Sequence, residues 1–338
     1  MEEPNEAQEI EEKIEARRLL IEKECRGGKI DLTSVELDDL DALTVAICLF
    51  QKDSKVDSLY LGTNMISDEG LEAITNSLSK HSEIQHLYLS NNLFRDPGIS
   101  ALANTLPELK SLTTLSLGGL QITDSACTNL ATSLMAMEES NLKYLFLNGN
   151  CIGDEGLLSL AVALSSEKFF LETLHLGDNV FTEVGLKLLS EWLETNTSLV
   201  KLFLNDNEMG ADGISSLSEA LCCNRKLKFL SLAACGIIDE TFKPMLACLS
   251  VNEALESLHI WSNLLTEKTA ELLLEVLRKH NHMISDLQAF SNPIQDYEVF
   301  QAELDEILGK NVMELEDDSS DDKEIEDIVE QVRKEIGK

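Results

Sequence analysis

The sequence predicts an α/β solenoid, a horseshoe or arc with a parallel sheet on its concave side and helices on its convex side. Three observations predict it. A stretch of about 28 residues recurs nine times, opening at Val56, Ile84, Leu112, Leu142, Leu171, Leu199, Leu227, Leu255 and Ile284, at intervals of 28 to 30 residues. Each copy opens with alternating leucines, as in LYLGTNMISDEGL from Leu59 and LHLGDNVFTEVGL from Leu174, the period-two signature of a strand. About fifteen residues of helical spacing then follow. A unit this short cannot bury its apolar face alone, so copies must stack. Parallel strands sit ~4.8 Å apart and packed helices ~8–10 Å apart, and that mismatch bends the stack toward its strands.

Taken in order, residues 1–28 hold a charged N-terminal helix, roughly Glu6 to Cys25, closed by Gly27-Gly28. Residues 29–55 read as an N-terminal cap, a degenerate first unit with a strand at Ile30 to Leu32 and a helix ending near Phe50. Residues 56–309 are the nine-repeat solenoid, ending in a closing helix from Asp296 to Leu308. Residues 310–338 are an acidic tail. Its first half is disordered by composition; in its second half Ile325, Ile328, Val329, Val332 and Ile336 form a helical stripe.

Within a repeat, the two strand leucines face the core, joined by Ile66, Ile122, Ile152 and Phe181. Next comes a turn position that reads Asn64, Asn92, Leu120, Asn150, Asn179, Asn207, Cys235, Asn263 and Asn292. Backbone groups leaving a buried strand need partners, and a carboxamide both donates and accepts. This column is therefore a structural ladder rather than a catalytic one. An acid near the helix start reads Asp68, Asp96, Asp124, Asp154, Glu183, Ala211, Asp239, Glu267 and Asp296. Negative charge suits a helix N-terminus, and a preceding Ser or Thr caps free amides, so the stacked carboxylates are helix-start devices and no metal site is expected. The period and consensus resemble the leucine-rich repeats of the ribonuclease-inhibitor type, one strand and one helix per turn.

Composition bounds the partner. The chain carries 61 acidic and 27 basic residues, a net charge of −34. Residues 314–327 hold nine acids and one lysine, which leaves −26 on the rest. Phosphate backbones and anionic membranes need the opposite sign, so neither nucleic acid nor membrane is expected and a basic protein partner is favoured. The N-terminus MEEPNEAQEIEEK lacks a basic start and an apolar core, so no secretory signal is expected. No apolar run approaches the ~20 residues a membrane span needs. Eight cysteines without a Cys-x-x-Cys pair fit buried free thiols in a reducing cytoplasm; Asn196-Thr-Ser is read as a chance sequon.

Candidate binding residues stand between and beside the leucines. The between-leucine column is Tyr60, Tyr88, Ser116, Phe146, His175, Phe203, Ser231, His259 and Gln288, flanked by His86, Tyr144, Lys201, Phe229, Trp261 and Phe290. The pattern turns these side chains to solvent, where a solenoid has no need of aromatics, and exposed aromatics mark partner surfaces. No P-loop, Gly-x-Gly-x-x-Gly, His-Glu-x-x-His or Gly-x-Ser-x-Gly is present. A non-enzymatic, cofactor-free binding scaffold is expected, similar to ribonuclease-inhibitor-like interaction modules such as the repeat domains of innate-immune receptors.

A second resemblance is to the Ran GTPase-activating proteins. It rests on the Gly27-Gly28-Lys29-Ile30 cap, the repeat length, and the closing helix with its acidic tail DEILGKNVMELEDDSSDDKE. In that family a loop arginine inserts beside the GTPase site, where positive charge offsets developing phosphate charge. The counterpart is Arg95, in SNNLFRDPG beside Asp96, although the family's longer Thr-Gly-Arg loop is absent. Under this resemblance the partner is a small GTPase and the location extends to the nuclear periphery.

Overall fold

The computed structural model describes residues 6–25, 27–50, 56–81 and 83–310. The acidic run and the apolar stripe expected in the tail lie outside the described residues. Strands and helices alternate throughout. Helix α1 (Glu6–Glu24) leads to β1 (Lys29–Asp31) and α2 (Asp39–Phe50), then β2 (Ser58–Tyr60), α3 (Asp68–Leu78), β3 (His86–Tyr88), α4 (Asp96–Thr105), β4 (Thr114–Ser116), α5 (Asp124–Ala136) and β5 (Tyr144–Phe146). After α6 (Asp154–Leu164) come β6 (Thr173–His175), α7 (Glu183–Thr195), β7 (Lys201–Phe203), α8 (Gly210–Cys223), β8 (Phe229–Ser231) and α9 (Asp239–Leu249). The last elements are β9 (Ser257–His259), α10 (Glu267–Lys279), β10 (Asp286–Gln288) and α11 (Tyr297–Lys310). These elements form two compact units, one built on β1–β5 and the other on β6–β10.

In both units the strands pair in parallel without slip. In the first, Ile30 faces Leu59, Leu59 faces Leu87, Leu87 faces Leu115, and Leu115 faces Leu145. In the second, Leu174, Leu202, Leu230, Leu258 and Leu287 align in the same way. A one-residue slip would turn every leucine out of the core, and all of these side chains are buried. The helices close the core from the other side. Helix α3 contributes Leu71, Ile74 and Leu78, and α10 contributes Ala270, Leu273, Leu274 and Leu277, spacings that keep one stripe inward.

The asparagine ladder ties each turn to the one before it. Asn64 Nδ2 donates to the Leu32 and Leu61 carbonyls at 2.8 and 2.9 Å, while its Oδ1 accepts from the Val35 and Leu37 amides. Asn92, Asn150, Asn207, Asn263 and Asn292 repeat this two-way pattern, and Asn179 accepts from the Ile152 amide and donates to the Leu176 carbonyl. Cys235 keeps the donor half, its thiol reaching the Leu204 and Ala233 carbonyls.

The acids do more than sit at their own helix starts. Five of them, together with Asp39 of the cap, reach forward to the start of the next helix. Asp39 accepts from the Ser67 amide and hydroxyl, Asp68 from the Arg95 and Gly98 amides, and Asp96 from the Thr123 amide and hydroxyl. In the second unit Asp154 takes Thr182 and Gly185, Asp239 takes Thr266 and Thr269, and Glu267 takes the Gln295 amide. The expectation that Ser or Thr caps its own helix is corrected accordingly. Ser67 and Thr123 make no such bond and donate to the previous acid instead, whereas Thr182 and Thr266 do both. The close approach explains the Gly two residues after the acid. A Cβ on Gly98 or Gly185 would stand 2.8 or 2.6 Å from the incoming carboxylate oxygen.

A second amide ladder runs at the other end of the helices. Asn224 Nδ2 donates to the Leu193 carbonyl at 2.7 Å, and its Oδ1 accepts from the Lys226 and Leu227 amides. Asn252 and Asn281 do the same with Leu221 and Leu249 behind them. Asn196 opens the series, accepting from Ser198 and Leu199.

Candidate protein-interaction face

Side chains that alternate with the core leucines stand on the sheet face turned away from the helices. In the first unit the Tyr60 and Tyr88 rings lie 4.7 Å apart and 8° from parallel, with Lys29 Nζ 4.4 Å over Tyr60. His86 Nδ1 meets Thr114 Oγ1 at 3.0 Å, and burial pushes the Tyr88 hydroxyl pKa up. Tyr144 and Phe146 stand half-buried on β5.

In the second unit the rings run without a break across four strands. His175 stacks on Phe203 at 4.7 Å, Phe203 leans on Phe229 at 4.6 Å, and Phe229 meets His259 edge-on at 4.6 Å. Trp261 and Phe290 stack at 5.4 Å, 4° from parallel. Such offset and edge contacts suit the ring quadrupoles. Of the twelve candidate binding residues, Lys201 and Phe290 are exposed and the other ten are half-buried. The expectation of open solvent exposure is corrected for these ten; in Tyr60, Tyr88, His175, Phe203, Phe229, His259 and Trp261 a neighbouring ring covers part of the side chain. Ser116 and Ser231 are buried in the same column; Ser116 Oγ lies 2.7 Å from Ser90 Oγ.

Two electrostatic features border the rings. Asp178 and Asp206, at φ 54° and 57° in the turns after β6 and β7, hold exposed carboxylates. They were not singled out in the sequence, although each directly precedes a ladder asparagine, the position that takes a left-handed turn. At the far end, Ser257 Oγ donates to Asp286 Oδ2 at 2.6 Å, and His259 Nε2 lies 3.1 Å from the same oxygen and 3.4 Å from Ser257 Oγ. Burial raises the Asp286 carboxyl, but the Ser257 and His259 hydrogen bonds outweigh it and hold it below the usual range. The cluster resembles a Ser-His-Asp triad in composition only. Both contacts fall on one imidazole nitrogen, whereas relay needs the serine and the carboxylate on opposite ring nitrogens.

Burial holds the His175 imidazole below its ordinary pKa, and its Nδ1 accepts from the Gly177 amide at 3.2 Å. Arg95 caps α4 through its backbone, with an exposed side chain that makes no ion pair among the described residues. Its neighbour Asp96 instead serves Thr123. The eight cysteines are free, and the expectation that they are buried fails at three. Cys151 and Cys223 are exposed and Cys48 is half-buried, because these positions fall outside the inward stripe. Among the described residues, no group of three or more His, Cys, Asp or Glu is placed to hold a metal, and no helix is long and apolar enough to cross a membrane.

A leucine-rich repeat family model matches residues 139–161, 167–190 and 195–218. NACHT, LRR and PYD domains-containing protein 13 of Homo sapiens is 31% identical over 159 residues, covering 47% of this chain and 15% of that protein. Protein 14 of the same series, also from Homo sapiens, is 32% identical over 168 residues, covering 49% and 15%. Protein 3 from Rattus norvegicus is 27% identical over 168 residues, covering 49% and 16%. The chain thus spans 15 to 16% of the length of these relatives. Among solved structures, an internalin from Listeria monocytogenes aligns with a TM-score of 0.47 at 17% identity, over 91% of this chain and 94% of that one. Actin-binding site 2 of leiomodin-1 aligns with a TM-score of 0.32 at 16% identity, over 62% and 96%. With a repeat model matching three segments of its repeated strand–helix array and an asparagine ladder joining the turns, the chain is a leucine-rich repeat protein, an α/β solenoid.

Proposed function

We propose that the chain is a non-catalytic, intracellular protein-binding scaffold of the ribonuclease-inhibitor type, and that its aromatic sheet face takes a basic protein partner. The observation that carries this reading is the unbroken series of rings from His175 to His259, with Trp261 and Phe290 beside it. Pre-stacked rings offer contact area that is already ordered, so a partner pays little further entropy. The exposed Asp178 and Asp206 carboxylates, on a chain of net charge −34, suit arginine and lysine side chains, whose cations also favour ring edges and faces. A photo-crosslinking amino acid at Phe203 tests it. Basic segments should be captured, and capture should vanish in Phe229→Ala with Trp261→Ala while folding is retained. Crosslinking no stronger than from Glu191 on α7 would sink the proposal.

A second reading is supported by Arg95, a cation with an exposed side chain and no ion pair among the described residues. In this reading the chain activates the small GTPase Ran and Arg95 supplies the inserted charge. The full chain should then accelerate GTP hydrolysis by Ran, and Arg95→Ala should remove the acceleration. Absence of acceleration by the wild-type chain would discard it.

A further inference from the structure

The strands of the second unit end at β10, which pairs with β9 alone. On β9 the groups that face β10 are in use. The Glu256 carbonyl accepts from the Ser285 and Asp286 amides, and the Ile260 and Ser262 amides donate to the Gln288 and Phe290 carbonyls. Their equivalents on the open side of β10 include the Ser285 carbonyl and the Ser291 amide, both on exposed residues. Neither has a backbone partner among the described residues. Asp286 and Gln288 turn their bonds toward β9, so the N–H and C=O of Leu287 between them point to the open side as well. Such an edge can template a further strand, and folds usually cover it. Helix α11 stands beside this edge without closing it. A cavity of about 610 Å³ remains, to which the β10 region supplies Asp286, Gln288 and Phe290, and α11 supplies Tyr297, Gln301 and Asp305. The first three alternate and the second three are four apart, so each set shares one face. On α11 the Tyr297 hydroxyl donates to Gln301 Oε1 at 2.7 Å, and Gln301 Nε2 donates to Asp305 Oδ1 at 2.8 Å. Burial and the Asp305 charge push the Tyr297 hydroxyl pKa up. No lysine or arginine among the described residues lines the cavity.

We propose that this cleft is a second binding site, where an extended segment of a partner protein adds as a strand to the open edge of β10 and sets an arginine side chain between Asp286 and Asp305. The backbone of the edge supplies the affinity common to any strand, with Leu287 N–H donating to the segment and the Ser285 and Leu287 carbonyls accepting from it. The side chains supply the choice of sequence. A residue of the added strand beside Asp286 stands on the same face as Asp286 and Gln288, directly above the cavity. Two carboxylates without a lysine or arginine in the lining favour a cation there, and a planar guanidinium matches a carboxylate better than an ammonium does. Phe290 and Tyr297 give its stem and plane an aromatic wall. The site lies past the rings from His175 to Trp261 and does not need them to bind anything.

The test titrates the full chain with a fluorescein-labelled seven-residue peptide that alternates valine with arginine, read by fluorescence anisotropy. Binding is expected with a Kd on the order of 10–100 μM. Methylating the amides of alternate peptide residues removes strand donors and keeps every side chain. In one of the two registers this should weaken binding at least about tenfold. Replacing arginine by glutamate in the peptide, or Asp305→Lys in the chain, should weaken it about as much. Gln301→Trp, on the surface of α11, fills the cavity and should abolish binding, with urea unfolding confirming that the variant is folded. Absence of binding at about 1 mM peptide, equal affinity for both methylated registers, or unchanged binding to Gln301→Trp overturns the site. Two other occupants have their own signatures. An unlabelled peptide of residues 311–324 that displaces the probe at lower concentration than the unlabelled probe itself would assign the edge to this chain's own following segment. A dimer in sedimentation that Gln301→Trp dissociates would assign it to a second copy. Either result overturns the proposal. None of the rings from His175 to Trp261 is altered, so this site and the aromatic face can fail separately.

Discussion

The two units solve one problem differently, the turn that carries the chain from a helix end into the next strand. In the second unit it is solved four times by the same residue, Asn196, Asn224, Asn252 and Asn281, each three positions before the strand-opening leucine or isoleucine. In the first unit the equivalent positions are His81, Leu109, Glu139 and Lys168. His81 Nε2 reaches the Leu49 carbonyl at 2.9 Å, and Lys168 Nζ reaches the Met135 and Met137 carbonyls. Leu109 is buried and Glu139 exposed. A carboxamide donates backward and accepts locally, while an ammonium can only donate. Repeat length does not follow the difference: the intervals opening at Val56 and Ile84 are 28 residues without the asparagine, and the one opening at Leu255 is 29 with Asn281 in place.

Five substitutions would break or sharpen this contrast. Asn252→Ala strips partners from the Leu221 carbonyl and from the Ala254 and Leu255 amides. It should cost about 3 kcal/mol in urea unfolding, against almost nothing for Glu139→Ala. Equal losses from the two would erase the distinction. The acid ladder is common to both units and serves as a control. Gly98→Ala in the first unit and Gly185→Ala in the second each push a Cβ into a carboxylate and should cost a similar ~2 kcal/mol. Asn224→His imports the first unit's solution, keeping a donor toward the Leu193 carbonyl while giving up the Lys226 and Leu227 amides. An intermediate loss of about 1 kcal/mol is expected, and a loss matching that of Asn252→Ala would show that donation alone carries no weight.

The smallest effect concerns pH. His175 has a folded pKa below its ordinary value of 6.5, so the unfolded chain binds protons more readily. Its contribution is fully present above 6.5 and is lost as pH falls through the lowered folded value. Comparing unfolding at about pH 7 and about pH 5, His175→Gln should show a shallower decline than the wild type. An unchanged slope would mean that His175 is not held neutral by its place between Phe203 and the Gly177 amide.

The leucine columns and the first asparagine ladder were legible because each rests on a chemical need that recurs in nearly every copy. Burial of an aliphatic strand face and satisfaction of a turn admit few substitutes. The forward reach of the acids was not legible. A carboxylate at a helix start explains itself through its own helix, and only coordinates reveal that Asp68 serves Arg95 and Gly98. The second asparagine ladder does leave a signal, Asn-x-x-Leu or Asn-x-x-Ile at 28- to 29-residue spacing, but it covers half the chain because histidine, leucine, glutamate and lysine replace it in the other half. At the sheet face, the residues were found from strand alternation, yet their stacking depends on the alignment of neighbouring strands. Ten of twelve therefore expose less than alternation implied.

The forward-reaching acids also give the array a direction for change by duplication and loss. Several helix starts depend on the carboxylate of the copy before them, as α4 depends on Asp68 and α7 on Asp154. Deleting a copy on the amino-terminal side strips the following helix of its cap. Deleting one on the carboxyl-terminal side only releases an acid into water, where it is well solvated. New copies are accordingly cheapest to append where the chain already offers a carboxylate with nothing to hold. An array of this kind is expected to gain and shed repeats chiefly toward its carboxyl end.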